Sequence, residues 1–454
     1  MDGSGKWQAI CLGALLWSPV VRAQEAGATR RLILAPSQKG LNAYNLDDGS
    51  LAWRFCEPEM VMGGTPAVDQ GAGVLYYQTR GRLWKANAAD GKLIKAVTIP
   101  SKEPGDVHTT ATVLADDAHG YHVICHYFAS RAYGGSIRVY DADLNLIWKV
   151  EGLNTWLKAI PCYHDGVVYV GTGEAFQYPI NHEWYRGRKE DARVIAYRIT
   201  DGSVKWKCEV DPEAMYRPEA NRSVDQVLYC NGYIIGASAL GGGAEGSFAQ
   251  LYVIDARTGA LVRTYTHDAR VGACGRSALS FGRLFRGDLT SKSTTVFRLG
   301  TGAKNDFTPY GVHLVNHSVA PDTSLQALDE KITFLGKVKG RVSTGAQGVI
   351  VHGGIVYACG SGTAGGVLAF DAETLAVVRE YDTGPIWDSS PMIVEKANGQ
   401  AVLVVLNHGI KKVRAYDVGT GAHLWDGEGV QDGYYLFGFS YDDRRGTGEG
   451  AARE

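Results

Sequence analysis

The chain has no charge imbalance, no long apolar run and no closely spaced cysteines. Its 46 Lys and Arg face 48 Asp and Glu, for a formal net charge of −2. Bulk electrostatics therefore draws it to neither nucleic acid nor an anionic membrane, and a charged partner has to be met by a local patch. The longest apolar stretch, Ala9 to Trp17, is too short to span a bilayer. It follows Lys6 and precedes Val21-Arg22-Ala23, with small or apolar residues where a signal peptidase reads, so residues 1–23 are expected to be a secretion signal rather than a buried strand. Residues 24–454 then form a single secreted or periplasmic domain. Without the signal seven cysteines remain, and no two have the spacing of a metal knuckle or a CxxC redox pair. Most end apolar strand-like runs ("HVIC", "VLYC", "VYAC") and read as small buried hydrophobes, with room for one disulfide of open connectivity.

What is abundant points to a turn-rich folded protein: 58 glycines, 24 tyrosines and 10 tryptophans in 454 residues. The phrase "AYDVGTGAHLW" (Ala415 to Trp425) near the end has a near copy, "AYNLDDGSLAW" (Ala43 to Trp53), near the start. Between them stand "ANAADGKLIK", "VYDADLNLIW", "AYRITDGSVKW", "VIDARTGALV", "VFRLGTG" and "AFDAETLAVV". The turn markers of the eight copies are Gly49, Gly91, Asn145, Gly202, Gly259, Gly302, Leu375 and Gly421. Each copy is a strand, a polar turn and a second strand, and two further short strands precede each hairpin, which gives the four strands of a propeller blade. The first copy lacks one strand before "RRLILAPSQ", and the last is followed by a spare one, Tyr434 to Asp443. The expected fold is all-β: an eight-bladed propeller of four-stranded antiparallel blades, its ring closed by the C-terminal strand. A solenoid would leave the spare strand unexplained.

In such a ring, side chains at the starts of the innermost strands and on the loops between the two middle strands gather at one mouth. The candidates there are His108, Trp156, Lys158, Asn221, Arg222, Arg276, Trp387 and Asp388, with Glu174 and Glu245 on glycine-rich middle loops. Lys158, Arg222 and Arg276 converging in a slightly acidic chain point to an anionic small molecule or sugar as ligand; the alternative is that each pairs with a neighbouring carboxylate. Asn221 and Asn316 head glycosylation sequons, relevant only in a eukaryotic secretory route.

The pattern Ala-x-Asp-x-x-Thr-Gly-x-x-x-Trp, matched in full by Ala415 to Trp425, resembles the tryptophan-docking repeat of the pyrroloquinoline-quinone-like propeller family. That resemblance implies a fold shared by quinoprotein alcohol and sugar dehydrogenases and by non-catalytic members. "GGAEG" around Glu245 resembles the family's calcium-binding glutamate stretch, and "GTGEAF" resembles its Gly-Thr-Gly-Asn stretch with Glu174 in place of asparagine, in reversed order. "IWDSSP" resembles the Trp-Asp that supplies the catalytic base, here Asp388. The implied cofactors are pyrroloquinoline quinone and calcium, with Trp156 or Trp387 as a flat surface for the quinone. The family's adjacent-cysteine disulfide is missing, and without a CxxCH haem motif electrons would leave to a separate acceptor. Two other readings stay open. One is a non-catalytic ligand- or protein-binding propeller. The other is a uronic-acid polysaccharide lyase using His108, His126, Tyr178, His182 and Arg222.

Overall fold

The computed structural model describes residues 31–37, 40–56, 66–79, 81–99, 108–130, 134–153, 161–174, 193–210, 222–238, 248–270, 277–288, 292–303, 324–342, 348–360, 365–384, 386, 391–407, 410–429 and 439–442. All regular structure among them is β-strand, and none of them forms a helix long and apolar enough to cross a membrane.

The repeated phrase builds its own hairpin. In the last copy Asp417 Oδ1 accepts hydrogen bonds from Thr420 N (2.5 Å) and Oγ1 (2.7 Å), while Gly421 N donates to Asp417 O at 2.8 Å. Asp255 with Thr258 and Asp371 with Thr374 repeat the arrangement. Hydrogen bonds from Gln400 and Thr420 hold the Asp417 carboxyl below its ordinary value. The turn ends on a left-handed residue, a conformation that favours glycine, as at Gly202 (φ +71°) and Gly421 (φ +78°). In the third and seventh copies a leucine takes that conformation, Leu144 at 60° and Leu375 at 63°. The third turn marker is therefore Leu144, not Asn145, whose amide nitrogen and side chain instead bond Asp141.

Thirty-two strands make eight sheets' worth of blade. Blade 1 takes β1 (Arg31–Ser37), β2 (Gly40–Asn45) and β3 (Leu51–Phe55) from the start of the chain. Blade 2 is β4 (Ala67–Asp69), β5 (Val74–Thr79), β6 (Arg82–Asn87) and β7 (Leu93–Thr98); blade 3 is β8 (His108–Asp117), β9 (Gly120–Ser130), β10 (Gly134–Tyr140) and β11 (Leu146–Leu153). Blade 4 is β12 (Cys162–His164), β13 (Val167–Glu174), β14 (Arg193–Arg198) and β15 (Val204–Glu209); blade 5 is β16 (Arg222–Cys230), β17 (Tyr233–Ser238), β18 (Phe248–Asp255) and β19 (Leu261–Arg270). Blade 6 is β20 (Ser277–Ser280), β21 (Arg283–Asp288), β22 (Ser293–Thr301) and β23 (Ala327–Val338); blade 7 is β24 (Val349–His352), β25 (Ile355–Cys359), β26 (Val367–Asp371) and β27 (Val377–Tyr381). Blade 8 is β28 (Met392–Glu395), β29 (Ala401–Asn407), β30 (Lys412–Asp417) and β31 (His423–Glu428), and β32 (Phe439–Asp442) returns to blade 1.

The ring closes as the spare strand required. β32 pairs antiparallel with β1, Arg31 opposite Asp442 and Leu34 opposite Phe439, so the C-terminal strand is the innermost of blade 1. The seam between blades 8 and 1 buries Ile33, Tyr44, Val404 and Trp425 in one apolar cluster. Tyr44 Oη donates to Glu428 O (2.7 Å) across it.

Among the described residues seven of the eight seams also have a docking position, four residues after the left-handed turn residue. Trp425 of the last copy lies on the Gly49 turn of the first and donates from Nε1 to Leu46 O at 2.8 Å, which is why the same phrase stands at both ends of the chain. Trp148 lies on the Gly202 turn with Nε1 bonded to Ile199 O (2.5 Å), and Trp206 on the Gly259 turn with Nε1 bonded to Ala256 O (2.9 Å). Trp53 lies on the Gly91 turn, but its buried Nε1 has no hydrogen-bond partner. A Cβ on Gly202 or Gly259 would come within 2.7 Å of the indole, so only glycine allows the ring to lie flat there. Elsewhere the position is cationic. Lys95 Nζ donates to Asp143 O, Arg263 Nε to Asp329 O (3.1 Å), and Arg379 to Thr420 O and to Gly419 O (2.9 Å).

Two expectations are corrected. The sixth copy, "VFRLGTG", is no tight hairpin: β22 and β23 are separated by a long insertion whose last part, "SLQALDEK", leads into and begins the strand β23. No disulfide forms among the described cysteines; Cys125, Cys162, Cys208, Cys230 and Cys359 are buried and Cys56 is exposed.

Candidate functional site

The two ends of the ring are built differently. One end carries the tight hairpin turns of the repeat. At the other, the mouth, the innermost strands begin and the second strands end, and both the links between blades and the middle loops lie there.

The strand positions sort the ten candidates, of which Asn221, directly before β16, lies outside the described residues. His108 is the first residue of β8 in blade 3, Arg222 the first of β16 in blade 5, and Glu174 the last of β13 in blade 4. Arg276 directly precedes β20 of blade 6. Trp156 and Lys158 belong to the link entering blade 4, Glu245 to the loop between β17 and β18, and Trp387 and Asp388 to the link entering blade 8. Of these, Trp156, Lys158, Glu245, Arg276, Trp387 and Asp388 lie outside the described residues, as do Tyr178 and His182 of the lyase reading. For His108, His126, Glu174 and Arg222 the backbone alone is described. Among the described residues the topology thus brings Glu174 and Arg222 together on neighbouring blades 4 and 5, with His108 on blade 3.

Sequence reasoning missed how blades 4 and 5 meet. β13 runs past the short β12 and pairs with β16, Gly173 opposite Ser223 and Glu174 opposite Arg222, so the two blades share one sheet at the mouth. A Cβ on Gly171 would lie 2.5 Å from Val224 O, so this glycine permits the close passage of the two strands. The glycines of "GTGEAF" therefore have a packing role beside any ligand role. Thr172, buried between them, donates from Oγ1 to Arg193 O at 3.4 Å.

Two further features of the mouth were hidden in ordinary strand patterns. Arg286, 1% exposed, lies on β21 between Ser277 and Thr295 of the neighbouring strands, and Thr295 Oγ1 donates to Arg286 O at 2.9 Å. The strand "RLFRGD" carries three charges, Arg283, Arg286 and Asp288, and nothing in the sequence singles out the middle one for burial. The second is the strap that leads to Trp387 and Asp388. Asn407, fully buried, donates from Nδ2 to Thr383 O (2.6 Å), Arg414 Nη1 donates to the same oxygen (3.2 Å), and Ile386 N bonds Gly360 O (3.2 Å). Tyr416 Oη donates to Asp382 O at 3.2 Å. Burial pushes the Tyr416 and Tyr381 phenols up to about 12. Among the described residues no group of three or more His, Cys, Asp or Glu is arranged to hold a metal.

No protein-family model and no curated protein matches the sequence. Solved structures do match in fold. A europium-containing methanol dehydrogenase superposes with TM-score 0.54 at 13% identity, over 84% of this chain and 83% of its own. The AztD protein of Citrobacter koseri gives 0.53 at 10%, over 91% and 98%. The dihydro-heme d1 dehydrogenase NirN in complex with DHE gives 0.52 at 12%, over 91% and 75%. At such identities the likeness is one of fold. The chain has the eight-bladed propeller fold of the pyrroloquinoline-quinone-like proteins whose repeat its sequence resembles.

Proposed function

We propose that the protein is an exported, quinoprotein-like propeller that binds an anionic small molecule at its mouth, on the side formed by blades 4 to 6. The observation that carries this reading is the backbone register that sets Glu174 opposite Arg222. A carboxylate suited to a hard cation and a guanidinium suited to an anion stand in adjacent strands, with Lys158 and Arg276 entering from the flanking links.

Pyrroloquinoline quinone with calcium is the ligand pair this set fits. Glu174 and Glu245 would hold the ion, Lys158, Arg222 and Arg276 would meet the anionic groups, and Trp156 or Trp387 would offer a flat apolar face. Bound there, the quinone would supply a hydride acceptor and calcium a Lewis acid. Asp388 would accept the proton of an alcohol or sugar hydroxyl, with His108 as a second proton-handling group. Two of the proteins that share the fold are named as dehydrogenases.

A second reading, a non-catalytic binding propeller, is favoured by the placement of Asp388 in the link to blade 8, across the ring from the carboxylates of blades 4 and 5. Titration of the purified protein with quinone and calcium, followed by dye-linked oxidation of alcohols and sugars, decides between them. Saturable binding is expected, weakened by about 1.5–3 kcal/mol in Arg222→Met at unchanged melting temperature. In the catalytic reading Asp388→Asn spares binding and lowers turnover by about 10²–10⁴. Binding without turnover on any substrate selects the second reading, and no binding of quinone or any other carboxylated ligand overturns both.

A further inference from the structure

The seams divide the ring unequally. Blades 3 and 4 are joined by Trp148 on the Gly202 turn, and blades 4 and 5 by Trp206 on the Gly259 turn, each indole donating to a carbonyl of the next blade. Blades 4 and 5 have a second tie at the opposite end, the β13–β16 pairing, and no other neighbouring blades share a ladder among the described residues. On either side of this group the docking position is cationic. Lys95 reaches from blade 2 to Asp143 and Asn145 of blade 3, where Leu144 stands in place of a glycine platform. Arg263 reaches from blade 5 to Asp329 O of blade 6, where the hairpin has been opened by the insertion.

We propose that blades 3, 4 and 5 form one rigid arc and that the ring yields at the two ends of that arc, the Lys95 seam and the Arg263 seam, more readily than within it. A docked indole removes apolar surface from water and satisfies its N–H at a buried carbonyl, whereas Lys95 makes solvent-exposed polar contacts that water and salt compete for. Two docked indoles and a backbone ladder therefore couple the three blades more strongly than either flanking seam couples them to the rest of the ring. His108, Glu174 and Arg222 ride on the arc and keep their spacing, while Arg276 and Asp388 stand beyond it. The proposal rests on packing alone and holds whether or not the mouth binds an anion.

Native-state hydrogen exchange in sub-denaturing urea, read by mass spectrometry, tests it on the full chain. The central strands β10, β14 and β18 are expected to open together, with one common opening free energy, and β6 and β22 to open separately and more readily. Adding 0.5 M salt should raise exchange in β6 while leaving the relation among β10, β14 and β18 unchanged. Lys95→Met, which removes the polar contacts and leaves Leu144 in its buried cluster between blades 2 and 3, should raise exchange in β6 severalfold at low salt and abolish its response to salt. Gly171→Val should uncouple β14 from β18. Opening free energies uniform around the ring, or different among β10, β14 and β18 of the unmodified protein, would overturn the proposal.

Discussion

Seams sealed by tryptophan and seams sealed by a cation occupy the same place in the repeat, yet they differ in what lies beneath. Trp53, Trp148, Trp206 and Trp425 each rest on a glycine of positive φ. Where that glycine is missing, at Leu144, at Leu375 and in the opened hairpin of blade 6, the incoming tryptophan is missing too. Lys95 and Arg263 stand in for it at two of these seams, and at the third Arg283 Nη1 reaches from another strand to Ala372 O (2.9 Å). Platform and indole form a matched pair because a Cβ would occupy the volume of the ring. A long flexible cation needs no platform, since it reaches past the side chain to a carbonyl. Only the seam between blades 7 and 8 breaks the rule, with Arg379 lying over Gly421.

The sharpest way to break this contrast is Trp425→Ala, which empties the seam that closes the ring. A loss of about 3–5 kcal/mol is expected in urea denaturation, the usual cost of deleting a buried tryptophan. The same change at Trp53 should cost less, because its Nε1 makes no hydrogen bond to lose. High pH attacks the seam between blades 7 and 8 through Tyr381 and Tyr416. Their folded values are raised from 10 to about 12, so the stability they contribute is complete below pH 10 and is lost as pH rises through 12. Denaturation between pH 9 and 12 should show a decline on the order of 2 kcal/mol for each phenol. Gly49→Ala combines a strained positive φ with displacement of Trp425 and should cost about 2 kcal/mol, measured the same way. Arg379→Met should cost about 1 kcal/mol or less, since Arg379 spans exposed carbonyls. The smallest effect is at Leu375→Gly, which relieves a left-handed leucine but removes its packing against the cluster between blades 6 and 7, for a net change within about 1 kcal/mol. If Trp425→Ala and Arg379→Met cost the same, the contrast between the two kinds of seam fails.

Asp417, Thr420, Gly421 and Trp425 show why the fold was legible in the linear chain. All four roles, turn cap, hydroxyl donor, left-handed corner and docked indole, are local in sequence and recur in whole or in part from blade to blade, so one good copy reveals the unit. The stretch "SLQALDEK", although rich in helix-forming residues, begins a strand, because pairing to β22 is a long-range ladder that outweighs local preference. The sequence favours Asn145 as the turn residue because asparagine is the commoner left-handed residue; the turn of this copy is one residue shorter, Leu144 N bonding Asp141 O where Gly421 N bonds Asp417 O, so the left-handed place falls to Leu144. At the mouth, the blade of origin of each candidate was legible, since it follows from strand order. The opposition of Glu174 and Arg222 was not, because it depends on β13 overrunning β12 by several residues.

By itself the sequence determined the number of blades, the hairpin chemistry and the need for a C-terminal strand in blade 1, because these follow from a pattern repeated within tens of residues and from the cost of an unpaired sheet edge. Only the tertiary structure decided which carbonyl each docked side chain meets across its seam, where two blades fuse into one sheet, and that Arg286 is buried within blade 6. Those outcomes depend on contacts between residues far apart in the chain, on the volume beneath each docking position and on the register between strands that no local signal encodes.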